Sequence, residues 1–189
     1  KLKIAKLLDD LGVDYIELGW PGANPKDIEV FELIKTIELK NAQITAFGCT
    51  RKANTKAEED KVLEQLLLAD TPVVTIFGKT WDFHVVEALK TTLEENIYMI
   101  YDSIAYLLSK GKRVFFDAEH FFDGYKHNKE YALKTIETAY NAGASRIILC
   151  DTNGGTINNQ IFKIVKEVKE FLPDAEIGVH VHNDGDLAV

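Results

Sequence analysis

The chain has 189 residues, 46% apolar and 28% charged, with 30 acidic against 22 basic side chains and a net charge of −8. That length describes one globular domain able to bury a core, while the acidic surplus and the lack of a basic stripe argue against nucleic acid or an anionic membrane as partner. No apolar run approaches the roughly 20 residues of a membrane span, no signal peptide is seen, and the distant cysteines Cys49 and Cys150 read as free thiols of a reducing, cytoplasmic setting.

The first element in chain order is a helix with Ile4, Leu7, Leu8 and Leu11 on one face. Gly12 stands where a left-handed cap would end it. β-branched runs then predict six strands, at Asp14–Gly19, Gln43–Gly48, Pro72–Gly78, Arg113–Glu119, Arg146–Asp151 and Glu176–His182. Between the second and third strands, Thr55 followed by Glu58 reads as a capping box ahead of Val62, Leu66 and Leu67. A long helix carrying Leu89, Leu93, Ile97, Ile100, Ile104 and Leu107 fills the next interval. The last stripe, Ile161, Ile164, Val165, Val168 and Phe171, is stopped by Pro173.

One phrase recurs: an amphipathic helix, a glycine (Gly12, Gly111, Gly143) and a short strand. The strand ends lie 29, 30, 41, 32 and 31 residues apart, against about 30 for one βα unit of a barrel. Asn153-Gly154 leads into a helix, and no hairpin dipeptide joins two strands, so the sheet is expected to be parallel and wrapped by helices. An open doubly wound sheet would need a phosphate-binding glycine loop after its first strand. Gly19-Trp20-Pro21-Gly22 does not supply one, and polar residues gather instead at the strand ends, as barrel active sites require. The expected fold is α/β, a (β/α)8 TIM barrel present in part, with residues 1–189 as a single catalytic domain.

Four groups could carry chemistry. His180 and His182, two apart on a strand, share a face; they could ligate a divalent metal or form a buried hydrogen-bonded pair. Asp117 and Glu119 share a face opposite Phe116 and Ala118, and Glu119 could orient substrate, move a proton, or be held by a basic neighbour. Asp151-Thr152-Asn153-Gly154-Gly155 offers a hydroxyl and main-chain N–H groups for a carboxylate or carbonyl, or is simply a turn with a cap. Glu17 is expected to face the barrel interior between Ile16 and Leu18. Arg51 could meet an anionic substrate or balance nearby acids, and the second role suits Lys52 better. Lys79, Trp81 and His84 could line the mouth or merely pack. His120 and His127 could be plain loop residues. There is no Gly-x-Ser-x-Gly elbow, P-loop or Cys-x-x-Cys pair, so covalent serine or cysteine catalysis has no support.

Together these residues resemble the acyl-CoA condensing barrels: isopropylmalate, homocitrate and citramalate synthases, with the hydroxymethylglutaryl-CoA lyases. His180-Val181-His182-Asn183-Asp184-x-x-Leu187-Ala188-Val189 is similar to their metal-site strand. Asp117-Ala118-Glu119-His120-Phe121-Phe122-Asp123-Gly124-Tyr125-Lys126 and Leu149-Cys150-Asp151-Thr152-Asn153-Gly154-Gly155 look like the citramalate synthase branch; isopropylmalate synthases more often show Ser-Pro-Glu-Asp and Asp-Thr-Val-Gly there. Gly19-Trp20-Pro21-Gly22-x-Asn24-Pro25-Lys26-Asp27 and Ala46-Phe47-Gly48-x-Thr50-Arg51 fit the same branch.

This resemblance implies an acyltransferase that condenses acetyl-CoA with pyruvate to (R)-citramalate in isoleucine biosynthesis, or a relative using another 2-oxo acid. It implies His180 and His182 as ligands of a divalent metal (Mg, Mn or Zn), and Thr152 at the keto-acid carboxylate. Glu119 would sit at the substrate as an orienting or acid–base group, and Glu17 in the inner polar shell. Asn183 and Asp184 would lie near the metal. Acetyl-CoA is the implied co-substrate and a homodimer the implied assembly. Family members start with a strand carrying Asp-x-Thr-x-Arg-Asp-Gly and take a further ligand, an Asn, from the eighth strand. Neither is found here, so the six strands are expected to be the second to seventh, and these 189 residues alone to turn over negligibly.

Overall fold

In the computed structural model, which describes residues 1–186, every predicted strand is present and parallel to the next. They are β1 (Tyr15–Gly19), β2 (Gln43–Cys49), β3 (Val73–Lys79), β4 (Arg113–Glu119), β5 (Arg146–Asp151) and β6 (Ile177–Val181). Their spatial order is their chain order, β1 to β6. Such an arrangement requires every crossover to fall on the same side. The eight helices described are α1 (Leu2–Leu11), α2 (Pro25–Ile34), α3 (Lys61–Leu68), α4 (Asp82–Glu87), α5 (Leu93–Ser109), α6 (Phe121–His127), α7 (Lys129–Asn141) and α8 (Asn158–Phe171). Of these, α1 precedes the sheet and the other seven supply the crossovers.

The sheet curls. In a flat sheet β1 and β5 would stand about 19 Å apart, four spacings of about 4.8 Å. Here the Tyr15 hydroxyl of β1 accepts a hydrogen bond from Arg113 of β4 at 3.0 Å. The Arg146 guanidinium of β5 lies 4.7 Å from the centre of the same tyrosine ring, and Phe115 meets that ring edge-on at 4.9 Å. Contacts across the concavity make this part of a closed barrel, the six-strand arc of a (β/α)8 fold.

The core lies between the convex face of the sheet and the helices. Ile16, Leu18, Ala46, Val74, Ile76, Val114, Phe116, Ala118, Ile147 and Leu149 point outward from their strands and are buried. They meet Phe31, Leu63, Leu66, Ile100, Ile104, Leu107 and Ile136 from the helices. Each fully buried Leu, Ile or Phe contributes about 1.5–3 kcal/mol. The recurrent glycine has its expected role: Gly12 caps α1 at φ 87°, with its N–H on the Asp9 carbonyl, and Gly143 turns the chain after α7 at φ 102°. Both are left-handed positions at which a side chain would be strained. Gly124 is required for space. A Cβ there would come 2.5 Å from the Thr80 carbonyl oxygen, so α6 could not sit against the end of β3.

Three helical expectations are corrected. In α1 the buried residues are Ala5 and Asp9, while Ile4, Leu7 and Leu11 are exposed; of the predicted stripe only Leu8 packs, partly buried, against the core. Thr55 and Glu58 do not cap α3. A short 3-10 turn at Ala57–Glu59 intervenes, and Asp60 caps the helix by accepting from Val62 and Leu63. The long interval holds two helices, with Leu89 in the link between α4 and α5. The last stripe is as expected, with Ile164 and Val168 buried and α8 ending at Phe171.

Candidate active site

Strand alternation decides what faces the concavity. In β4, Phe116 and Ala118 are fully buried outward, so Asp117 and Glu119 look inward. The pairing of Lys79 with Glu119 and of Cys150 with His180 brings further inward positions level with them. On β6, Val179 and Val181 share the outer face, and His180 and His182 the inner one. The two imidazoles lie nearly parallel, 5.4 Å between centroids and 10° between planes. Glu119 and His180 therefore face the concavity, with Thr152 just beyond β5 and His182 just beyond β6, at the carboxyl ends of the strands, where barrel chemistry is performed.

Each expected residue has a defined setting. The Glu119 carboxylate pairs with the Lys79 ammonium through its Oε2, and its main-chain carbonyl accepts from the Thr80 hydroxyl at 2.7 Å. Thr152 Oγ1 accepts the His120 N–H at 2.9 Å. His120 has φ 57°, a left-handed conformation uncommon outside glycine, and this aims its amide across to the neighbouring strand end. The 152–155 loop is braced from below, because buried Asp151 accepts from both the Thr156 amide and hydroxyl, at 3.0 and 2.8 Å. α8 starts without a side-chain cap, so the alternative of a capping turn at Asp151 or Thr152 is not what the loop does.

Glu17 does face the interior. Its carboxyl is open to water at the basin yet crowded at its sides, and burial holds it above the usual carboxylate range, opposed by a hydrogen bond from Thr75 and by His180. Asp117 is 7% exposed, and burial, then the Glu17 charge, push it up to about 7. Cys150 lies beside them, its thiol pushed far up by burial and the surrounding carboxylates. Cys49, on the inner face of β2, is pushed up to about 11 for the same first reason. Neither thiol is set up as a nucleophile.

Arg51 is not a substrate cation. Its guanidinium is bound by Glu95 at 2.7 Å and Asp102 at 2.7 Å, both on α5. Lys52 is exposed, and its amide bonds Asp60. His127 pairs with Asp82 at 2.9 Å. His120 pairs with Asp123 at 3.2 Å and, with Trp81 and His84, forms a ring cluster at the mouth, where His84 and His120 centroids are 4.4 Å apart. Burial, then His120 and Lys79, hold His84 below its usual value. Asn183 donates to Asp186, and both His182 and Asp184 lie against Gly154, so the loops after β5 and β6 touch. Leu187, Ala188 and Val189 fall outside the described residues.

Sequence reading missed two partners. One is Lys79, whose strand-end position did not reveal that it lies level with Glu119. The other is the group Asp117, Cys150 and His180, whose ligand atoms all lie within 4.8 Å of one another and could hold a metal ion. The signal for Cys150 was available: it stands two residues before Thr152 and so shares its face.

A six-strand arc of a (β/α)8 barrel, with an inward basin of carboxylates and imidazoles at its carboxyl end, defines the class. The HMGL-like family model matches residues 1–189, and the chain belongs to the HMGL-like family. It is 57% identical over 189 residues to the (R)-citramalate synthase of Aquifex aeolicus, covering 100% of this chain and 36% of that protein. The (R)-citramalate synthase of Streptomyces coelicolor is 48% identical over 192 residues, covering 100% of this chain and 35% of that protein. The 2-isopropylmalate synthase of Sulfurisphaera tokodaii is 34% identical over 188 residues, covering 100% and 46%. Among solved structures, hydroxymethylglutaryl-CoA lyase from Pseudomonas aeruginosa shares the fold, with a TM-score of 0.78 at 15% identity over 99% of this chain and 62% of that one. The chain thus spans about a third of the length of the curated Aquifex aeolicus citramalate synthase. No helix among the described residues is long and apolar enough to cross a membrane.

Proposed function

We propose that the full-length protein condenses acetyl-CoA with pyruvate to give (R)-citramalate and CoA, in the cytoplasm and as a homodimer, and that residues 1–189 are the part of its catalytic barrel that supplies the metal and keto-acid half of the site. The observation that supports this reading is the concavity faced by Asp117, Cys150 and His180, whose ligand atoms lie within 4.8 Å of one another, with His182 stacked on His180. Identity of 57% to a citramalate synthase against 34% to an isopropylmalate synthase supports pyruvate as the acceptor.

The donor set suits a divalent ion: two imidazoles side by side, with the Asp117 carboxylate and the Cys150 thiol within 4.8 Å of the His180 ring nitrogen. His180 and His182 would hold it, and when bound it polarises the 2-oxo carbonyl as a Lewis acid. Thr152 spends an oxygen lone pair on the His120 amide, so its own proton is left to donate to the pyruvate carboxylate. Lys79 grips Glu119 through Oε2 and fixes the carboxylate, leaving Oε1 to orient substrate or accept the proton leaving the acetyl methyl group. The new carbon–carbon bond then joins that methyl carbon to the keto carbon, and water cleaves the thioester to release CoA. Glu17 keeps the floor of the basin polar.

Citramalate formation by the full-length protein, at least a hundredfold slower in His180→Ala and His182→Ala, is the expected outcome. Absence of pyruvate-dependent CoA release from the wild type would end the reading. The 34% relative favours a second one, an isopropylmalate or homocitrate synthase, and rates with pyruvate, 2-oxoisovalerate and 2-oxoglutarate separate the two.

A further inference from the structure

We propose that Asp123 is a positioning residue for the condensation: its carboxylate clamps the loop after β5 to the segment after β4 and so fixes the hydroxyl of Thr152. The proposal rests on the role given to Thr152 at the keto-acid carboxylate. Two hydrogen bonds cross between the segments. The His120 N–H donates to Thr152 Oγ1 at 2.9 Å. One residue on, Asn153 Nδ2 donates to Asp123 Oδ2 at 2.8 Å. The same Oδ2 lies 3.2 Å from His120 Nδ1, so one carboxylate oxygen holds both sides of the crossing. A single bond would let the loop pivot about it. The pair sets its orientation.

Asp123 stands on a stiff base. It belongs to α6, in which Phe121, Phe122, Gly124 and Tyr125 are buried. Lys126 Nζ approaches its other oxygen at 3.6 Å and donates to Thr156 Oγ1 at 3.1 Å, which joins α6 to the far end of the same loop. His120 is the opposite case. Its left-handed backbone, φ 57°, persists in a non-glycine residue only where the surroundings hold it. The bond from its ring to Asp123 is one such hold. Without it, His120 relaxes and turns its amide away from Thr152. The freed hydroxyl then rotates, and its proton is no longer committed to the substrate carboxylate. A displacement of about 1 Å at such a contact costs on the order of a hundredfold.

Because Asp123 acts through Thr152, its signature is in the KM of the keto acid. In the full-length protein, Asp123→Ala and Asn153→Ala should each raise the KM for pyruvate about tenfold, with the KM for acetyl-CoA changed less than about twofold. The double variant should be no worse than Asp123→Ala alone, since both changes cut one tie. Asp123→Asn keeps a carbonyl oxygen for the Asn153 donor and should recover most of the loss. Parallel rises in both KM values, a fall in kcat alone, or effects that multiply in the double variant would overturn the clamp. If Asp123→Ala does not fold, Asn153→Ala, at an exposed position, reads the same split. A wild type that releases no CoA with pyruvate refutes the condensation reading instead. The clamp is then read from a crystal structure of whichever of the two alanine variants folds: a His120 N–H still bonded to Thr152 Oγ1 overturns it, and separation beyond about 3.5 Å upholds it.

Discussion

Asp9 shows how much one side chain can organise. It is 3% exposed, and its carboxylate accepts the main-chain N–H groups of Lys40, Asn41 and Ala42 at 2.8, 2.8 and 2.7 Å. The Asn41 side chain returns a bond to the Asp9 carbonyl at 2.8 Å. The turn that feeds β2 is thereby fastened to α1. Asp9 lies close beneath the molecular surface, so the Lys40 and Ala42 bonds outweigh desolvation and hold its carboxyl below the usual range. A folded-state pKa lowered in this way contributes stability above the unfolded value, lost as pH falls through the folded one. Asp9→Ala should therefore lower the urea midpoint at neutral pH, with the gap to wild type narrowing from about pH 5 downward. A gap of constant size between neutral pH and pH 3 would show that the carboxylate charge is not what matters. Sequence gave no hint of this role, because the partners are backbone groups 31 to 33 residues away. Glu119 and His180 were legible for the opposite reason: strand alternation alone assigns their face.

Elements were read well where one periodicity governs and poorly where two compete. All six strands are within a residue or so of expectation, since each inner strand needs apolar residues on its helix-facing side whatever its other face carries. Helix starts followed different rules. Thr55 and Glu58 have the spacing of a capping box, but Asp60 is nearer the first buried residue, Leu63, and its carboxylate reaches two amides. The α1 stripe misled because an apolar face reveals amphipathicity without revealing which way it is turned. Arg51 shows the same ambiguity for charge. Its guanidinium joins the end of β2 to α5 through Glu95 and Asp102, and its amide bonds the buried Ser103 hydroxyl at 2.9 Å. Asp102 is partly open to water, which screens its share, but the arginine itself is 5% exposed. Arg51→Met keeps the stem and removes the charge; it should cost about 2–3 kcal/mol in denaturant unfolding. Unchanged stability would mean that water replaces Arg51 at both acids without penalty.

At the scale of the whole molecule, the curl is what gives the basin walls, and the edges are what limit it. β1 and β6 are the edges of the described sheet, each with one row of main-chain N–H and C=O groups that pairs with no other described strand. Apolar surface adjoins both: Ile4, Leu7 and Leu11 on α1, and Phe162, Val179 and Val181 around β6 and α8. Parallel edges flanked by exposed apolar side chains are templates for pairing with another chain. The 189 residues prepared alone should therefore associate, with a sedimentation coefficient that rises with concentration. The same open arc leaves the imidazoles of β6 exposed on one side, so a divalent ion on His180 and His182 should bind weakly to these residues in calorimetry and tightly to the full-length protein. A chain that stays monomeric at every concentration and binds an ion tightly would mean that the arc is closed enough to form its site unaided. In that case the basin's affinity would come from the six strands themselves, and the remaining length of the relatives would serve the acyl donor instead.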